Sequence, residues 1–382
     1  MRRNNLNRIG KDTLIMPYFE NTSFDNHEHV SFFSDPETGL KAIIAIHNTN
    51  LGPGLGGCRM WSYASDDEAL TDVLRLSRGM TYKAALAGLK LGGGKSVIIG
   101  DARTQKTPEL FEAMGRFVEK LGGDYIIAED VGTSVEDMVS VSKHTSAVVG
   151  LPTKEGSDHA SGDPSPVTAW GVFLGIKASV SHRLKKESLE GVHVAVQGLG
   201  SVGMALCGYL HKAGAHLTVA DIFEGNVEKA QQLFGADVVS PQEIYGVEAD
   251  VFAPCALGGV INDETLDRFK VSVIAGAANN QLLEDKHGMM LHQRGILQAP
   301  DFVINAGGLI NVYYERMNQI DTSRTYTRDD VMKHLDIIDV NLRKIFEISD
   351  QKNISTSDAA EDLAESIFLQ PSLTQEDDHA AA

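Results

Sequence analysis

Gly198, Gly200 and Gly203 have the spacing G-x-G-x-x-G, and what flanks them constrains the fold more than any other stretch of the chain. An apolar run of strand length, Val192–Val196, precedes them, and a helical pattern from Val202 to about Ala213 follows. A second strand ends at Asp221, 23 residues beyond Gly198. In that setting Gly198 makes the tight turn, Gly200 lets backbone approach a pyrophosphate, and Gly203 lets helix and strand pack closely. Free N–H groups at the helix start stabilise the phosphate charge. The stretch Gly198, Leu199, Gly200, Ser201, Val202, Gly203 and Met204 is therefore the expected cofactor loop. Asp221 is positioned to accept from the adenosine ribose hydroxyls and to repel a 2′-phosphate, which favours NAD over NADP. The same region imitates a membrane span, since Gly191 to His211 is 21 residues without a formal charge. Gln197 and five glycines would break such a span, and a strand–turn–helix unit accounts for the segment without a membrane.

The wider pattern agrees. Val192–Val196, Leu217–Ala220, Val251–Pro254, Val271–Ala275 and Phe302–Ile304 are strand-length apolar runs alternating with helical ones, which predicts a parallel sheet with helices on both faces. Earlier, Val30–Phe33 and Leu40–Ile46 flank Asp35-Pro36-Glu37-Thr38-Gly39, a hairpin signal. Ser65 with Glu68 predicts a helix start, the helix running to about Met80. Pro108 predicts another start, as does Ser134 with Asp137. Ser161 to Pro166 is rich in Gly, Pro and Ser and marks a passage between domains. Val331, Leu335, Ile338, Leu342 and Ile345 step at helical spacing and predict one long amphipathic helix. The first fifteen residues and the acidic end read as loose.

At 382 residues the chain suits two or three domains. Its net charge of −18 disfavours nucleic acid as the main partner. Three cysteines, Cys58, Cys207 and Cys255, form no close pair, so neither a disulfide scaffold nor a cysteine zinc site is expected, and a reducing cytoplasm suits the chain. No metal is expected.

Two lysines carry the chemistry. Gly79-Met80-Thr81-Tyr82-Lys83 is followed by Gly92-Gly93-Gly94-Lys95, and later by Ala128-Glu129-Asp130-Val131-Gly132-Thr133. Gly92–Lys95 lacks the full phosphate-loop spacing, so it serves something other than a triphosphate. Small residues before Lys95 let its ammonium sit deep in a narrow cleft. Two lysines in one cleft lower each other's affinity for protons, and a lysine so lowered acts as a general base.

These motifs resemble the glutamate/leucine/phenylalanine/valine dehydrogenase family, most closely its short, leucine-type members. The likeness runs from about Tyr18 to the C-terminal helix. It includes Leu51-Gly52-Pro53, Leu55-Gly56-Gly57-Cys58-Arg59-Met60-Trp61, Gly92-Gly93-Gly94-Lys95 and Asp163-Pro164-Ser165-Pro166-Val167-Thr168-Ala169. Ala275-Gly276-Ala277-Ala278-Asn279-Asn280-Gln281 and Ile304-Asn305-Ala306-Gly307-Gly308 complete it. The resemblance implies an α/β fold of two domains with the active-site cleft between them. Residues 1–165, completed by C-terminal helices at about 345–371, would bind substrate; 166–344 would be a Rossmann domain; 372–382 would be a disordered tail. It implies that Lys83 binds the substrate α-carboxylate, that Lys95 activates the water that attacks an imine, and that Asp130 shuttles protons to the amino group. Gly56 and Gly57 match substrate-cleft positions, Asn280 a substrate contact, and Thr168 and Asn279 cofactor contacts. Leu55, Ala128, Leu309 and Val312 match the side-chain pocket, where phenylalanine-specific relatives tend to carry glycine at the Ala128 position. The implied reaction is reversible NAD-dependent oxidative deamination of an L-amino acid, leucine first and phenylalanine as the alternative, by a homo-oligomer. Other NAD oxidoreductases commonly use a histidine base, which has no comparable motif here. An inactive NAD-binding regulator would be expected to lack Lys83, Lys95 or Asp130.

Overall fold

The computed structural model describes residues 18–152, 164–321 and 323–369, and forms two α/β bodies, each around its own sheet. The first fifteen residues, Ser161–Asp163 of the expected interdomain passage and the C-terminal tail lie outside the described residues.

The first body begins with the expected hairpin, β1 (His29–Asp35) antiparallel to β2 (Leu40–Asn48). Next come β3 (Gly54–Trp61), α1 (Asp66–Leu86), β4 (Gly92–Ile99), α2 (Pro108–Glu119), β5 (Tyr125–Glu129) and α3 (Val135–Ser142). The sheet order is β1-β2-β4-β3-β5, with β4, β3 and β5 mutually parallel. Ser65 Oγ caps α1 by accepting from Glu68 N at 3.1 Å, and the Glu68 carboxylate accepts from Ala64 N at 2.6 Å, one residue before the cap. The helix runs past Met80 to Leu86 because Thr81, Tyr82, Ala84, Ala85 and Leu86 all bury.

Glycine decides how α1 meets β4. A Cβ on Gly93 would lie 2.1 Å from Thr81 Oγ1, one on Gly92 2.0 Å from Asn48 O, and one on Gly94 2.6 Å from the Tyr125 ring. Only hydrogen fits at these three positions, so the triplet before Lys95 is a packing device that brings β4 against helix, strand and ring.

The second body contains α4 (Ser165–Leu184), β6 (His193–Gln197), α5 (Ser201–Lys212), β7 (His216–Ala220), α6 (Glu224–Phe234), β8 (Asp237–Val238) and β9 (Val251–Pro254). It continues with β10 (Val273–Ile274), α7 (Lys286–Gln293), β11 (Leu297–Gln298), α8 (Asp301–Ile304) and α9 (Gly307–Ile320). Its sheet is wholly parallel in the order β11-β10-β9-β6-β7-β8, the doubly wound arrangement whose switch point lies between β6 and β9. The expected strand at Phe302–Ile304 is instead α8. Pro300 turns the chain, its carbonyl accepts from Val303 N and Ile304 N at 3.1 Å each, and Leu297–Gln298 supplies the last strand.

The single long helix expected through Val331–Ile345 is two, α10 (Arg328–His334) and α11 (Asp336–Lys352), followed by α12 (Thr356–Phe368). The break at Leu335 follows His334, whose Nε2 donates to Ala87 O at 2.8 Å while Nδ1 accepts from Tyr314 Oη at 3.0 Å. Asn341 Nδ2 donates to Leu86 O at 2.6 Å. These two bonds satisfy carbonyls that α1 leaves open at its C-terminus. α12 packs on α1, with Arg78 paired to Glu361 at 2.9 Å and Tyr82 Oη donating to Glu365 at 2.7 Å. No helix of the described residues is long and apolar enough to cross a membrane.

Candidate active site

A cleft of about 330 Å³ is walled by both bodies. β3 contributes Leu55, Gly57 and Arg59, the alternate positions of one strand face. α1 contributes Leu76, Gly79, Met80 and Lys83, one helical stripe, with Arg75 exposed at the rim. Lys95 comes from β4, Ala128, Glu129 and Asp130 from the carboxyl end of β5, and Asn279, Asn280, Asp301, Phe302, Gly308, Leu309 and Val312 from the second body.

The structure thus brings Lys83, Lys95, Asp130, Leu55, Ala128, Gly57, Asn279, Asn280, Leu309 and Val312 into one cavity. Gly56 is not on its wall. A Cβ there would lie 1.7 Å from Gly94 O, so this glycine serves strand packing, whereas one on Gly57 would lie 2.7 Å from Asp130 Cβ and 3.2 Å from Lys95 Nζ. Met80, Arg59, Arg75, Leu76, Phe302 and Asp301 are cleft residues that the sequence reading passed over. The helical spacing of residues 76, 79, 80 and 83 and the two-residue period of 55, 57 and 59 were the signals for Leu76, Met80 and Arg59.

Lys95 is buried and its Nζ lies 2.6 Å from Asp130 Oδ2. Burial pushes the Asp130 carboxyl up, but Lys95 and then Arg59 outweigh it and hold the group below its ordinary value. The turn carrying Asp130 is fixed by Thr133, whose Oγ1 accepts from Asp130 N at 2.9 Å, and by Gly132 at φ +81°. Lys83 pairs with no carboxylate among the described residues. Burial lowers its ammonium to about 8; Asp301 and Asp130 oppose that shift and Lys95 adds to it. Burial likewise raises Asp301, whose Oδ2 accepts from Asn280 N at 2.7 Å and steadies a left-handed residue at φ +50°.

The glycine loop lies at the switch point. Gly198 has φ +92°, and a Cβ on it would lie 2.7 Å from Ala256 Cβ; a Cβ on Gly203 would lie 2.0 Å from Gly198 O. Gly200 faces open space, and no side chain caps the N-terminus of α5. Open approach and uncapped N–H donors suit a dinucleotide phosphate. Ser201, Val202 and Met204 form the first turn of α5, while the Leu199 side chain is buried. Asp221 Oδ2 accepts from Leu199 N at 2.5 Å and its Oδ1 from Phe223 N at 2.8 Å, so the carboxylate braces the loop and keeps lone pairs for a ribose. Thr168 lies off the cleft wall, its Oγ1 donating to Pro164 O at 3.1 Å and its Cα against Gly307. Asn279 Oδ1 accepts from Asn305 Nδ2 at 2.7 Å. The trio of potential metal donors Asp263, Glu284 and His287 is occupied by Lys286, 3.2 Å from Asp263 and 3.1 Å from Glu284.

Comparison with known proteins agrees with this architecture. Residues 27–147 match the "Glu/Leu/Phe/Val dehydrogenase, dimerisation domain" and residues 220–366 the "Glutamate/Leucine/Phenylalanine/Valine dehydrogenase" domain. Leucine dehydrogenase of Geobacillus stearothermophilus is 52% identical over 350 residues, covering 92% of this chain and 93% of the relative. Phenylalanine dehydrogenase of Caldalkalibacillus thermarum is 49% identical over 344 residues, covering 89% and 90%. The crystal structure of L-tryptophan dehydrogenase from Nostoc punctiforme superposes with a TM-score of 0.80 at 45% identity, covering 91% of this chain and 97% of that one. The chain belongs to the glutamate/leucine/phenylalanine/valine dehydrogenase family and is an amino-acid dehydrogenase.

Proposed function

We propose that this enzyme catalyses the NAD-dependent, reversible oxidative deamination of a branched-chain L-amino acid, leucine first, to the 2-oxo acid and ammonia. The observation that carries the reading is Lys83, an ammonium with no carboxylate partner among the described residues, sharing one cavity with the Lys95–Asp130 pair and an aliphatic wall of Leu55, Ala128, Leu309 and Val312. Lys83 receives the α-carboxylate and the aliphatic wall receives the side chain, which leaves the α-amino group for Lys95 and Asp130. NAD, held by the Gly198–Met204 loop, Asp221, Thr168 and Asn279, would supply the hydride acceptor. Asp130 takes the proton released from the amino group. With its amine unprotonated, Lys95 takes the proton of the water that attacks the imine. Asp130 returns a proton to the nitrogen as the C–N bond breaks and ammonia leaves, and the 2.6 Å Nζ–Oδ2 contact lets the two groups exchange protons.

The Asp221 carboxylate supports NAD over NADP through repulsion of a 2′-phosphate. Relatives named leucine dehydrogenase at 50–52% identity support leucine. The second reading, phenylalanine, is supported by the relative at 49%. The match of residues 27–147 to a dimerisation domain supports a homo-oligomer. Three free cysteines, two of them buried, support a cytoplasmic setting. We take residues 1–165 with the C-terminal helices as the substrate body and 166–344 as the cofactor body, their hinge closing over the cleft.

NADH formation with leucine, valine, isoleucine, phenylalanine and glutamate tests the reading. It expects the highest kcat/KM for leucine and none detectable for glutamate; phenylalanine ahead of leucine overturns the side-chain assignment, and no turnover with any of them overturns the whole.

A further inference from the structure

One hydrogen-bonded chain of charges leads out of the cleft through β3. Asp130 Oδ2 receives Lys95 Nζ at 2.6 Å and Arg59 Nε at 3.3 Å. The Arg59 Nη1 then spans both oxygens of Asp72, at 2.9 and 3.2 Å, and Asp72 Oδ2 also accepts from Tyr63 Oη at 2.6 Å. Arg59 and Asp72 are half-buried, and both line a second cavity of about 520 Å³ with Trp61, Tyr63, Glu68, Thr71, Arg75 and Val131, whose wall does not include Lys95. Arg59 and Arg75 border both cavities.

We propose that Arg59 is a positioning residue for the reaction: braced by Asp72 and Tyr63, it holds Asp130 in the orientation and charge state in which it exchanges a proton with Lys95. The proposal rests on the functional reading above and deepens it. Three features support a dedicated part. Asp130 offers the same oxygen to both cations, so Arg59 competes with Lys95 for it and sets how tightly the pair is held. The guanidinium is split between two carboxylates, a planar fork geometry that a lysine ammonium cannot reproduce. The brace spans two elements, because Asp72 sits in the second turn of α1 and Tyr63 between β3 and α1, so the orientation of Asp130 is tied to the helix that carries Lys83.

Asp130 is faced by Lys95 from β4, Arg59 and Cys58 from β3, Tyr63 from the β3–α1 connection, Lys83 from α1 and Tyr125 from β5, and it shares the cleft with Arg75, Glu129 and Asp301. Among these, Lys95 and Arg59 are the cations that hold it ionised. With Arg59 gone, Asp130 ionises at higher pH.

The test compares Arg59→Met, Arg59→Lys and Asp72→Asn with wild type, using whichever L-amino acid of the panel the wild type turns over fastest, so a wrong side-chain assignment leaves it intact. For Arg59→Met the expected result is a kcat lower by about 10–100-fold. Its KM should stay within about threefold of wild type, and the acid limb of kcat should move up by about one pH unit. Arg59→Lys, which keeps the charge and loses the fork, should restore the acid limb while kcat stays low. Asp72→Asn should lie between wild type and Arg59→Met. Unchanged acid limbs in all three variants, with only lower melting temperatures, would show that Arg59 merely supports the fold and would overturn the proposal. A wild type inactive on every amino acid would instead overturn the functional reading; the proposal is then read from the affinity of the NADH complex for 2-oxo acids across pH, where an acid limb identical in wild type and Arg59→Met overturns it.

Discussion

Thr81 of α1 packs directly on Gly93 of β4: a Cβ on Gly93 would lie 2.1 Å from Thr81 Oγ1 and 2.2 Å from Thr81 N. That contact sets Lys83 and Lys95, each two residues further on, into one cleft. Gly93→Ala has nowhere to put its methyl, and overpacking of this kind costs about 1–3 kcal/mol. It should lower the melting temperature and, by shifting one lysine from the other, lower kcat by about 10²-fold. Gly79→Ala, on the same helix with nothing among the described residues beyond its own helical backbone within 4 Å of the new Cβ, should raise the melting temperature. Differential scanning calorimetry of the two variants checks the pair; equal shifts would show that glycine content, not the Thr81 contact, is what matters.

The two lysines should fail differently. Lys95→Ala is expected to lower kcat by about 10²–10⁴-fold, with NADH affinity measured by fluorescence nearly unchanged. Lys83→Ala should act mainly on KM through the lost carboxylate partner. A Lys95→Ala enzyme keeping more than about a tenth of wild-type kcat would remove it from the proton chemistry.

Binding of a carboxylate should weaken with pH. The Lys83 ammonium is lowered by burial from 10.5 to about 8, so the charged form that a carboxylate needs is lost as pH rises through that value. The dissociation constant of 4-methylpentanoate with the NADH complex should therefore climb above about pH 8, and a flat response to pH 10 would contradict the assignment. Stability moves the other way. Between about 8 and 10.5 the unfolded chain holds a proton that folded Lys83 has released, so this group's contribution to stability rises with pH across that window.

His47 should mark the acid side. Burial, helped by His27 and opposed by Asp25, lowers it from 6.5 to about 4, and its Nδ1 is bonded to Thr81 Oγ1 at 2.8 Å. The unfolded state then binds the extra proton first, so stability is lost as pH falls from 6.5 towards 4. His47→Gln should reduce the loss of urea midpoint between pH 6.5 and pH 4.5; an equal loss in both proteins would place the acid sensitivity elsewhere.

Specificity should respond at two named positions. Asp221→Ser removes repulsion of a 2′-phosphate and should narrow the NAD-to-NADP ratio of kcat/KM. Ala128→Gly enlarges the aliphatic pocket and should move preference from leucine towards phenylalanine. A methyl-sized change in an apolar pocket is worth about 1–3 kcal/mol, or roughly 10–200-fold, so the shift should be graded. An unchanged leucine-to-phenylalanine ratio would remove Ala128 from the pocket wall.

Local signals read well where backbone chemistry left one solution. The hairpin around Asp35–Gly39, the start at Pro108 and the turn at Gly198 each depend on a residue whose allowed geometry is narrow, and each is found where expected. Phe302–Ile304 went astray because three apolar residues suit a buried strand or a buried helical turn equally, and Pro300 distinguishes them. The break at Leu335 depends on His334 reaching Ala87, a contact across 247 residues that periodicity cannot register. Within the cleft, Lys83 and Lys95 stood out through glycine context. Arg59 did not, since its meaning comes from Asp72 and Asp130, which are brought to it by folding. Gly56 and Gly57 were adjacent letters with one assigned role, and strand alternation gave them opposite ones.

The C-terminal helices close the open carbonyls of α1 and clamp its outer face through Arg78–Glu361 and Tyr82–Glu365. Translation delivers those partners after both lysines, in a chain that emerges N-terminus first. The nascent protein therefore carries its chemical groups without the brace that aligns them, and a premature stop after residue 330 yields a polypeptide with every motif and an unanchored α1. Alignment of the two lysines therefore waits on α10, α11 and α12, a stretch that carries none of the motifs itself.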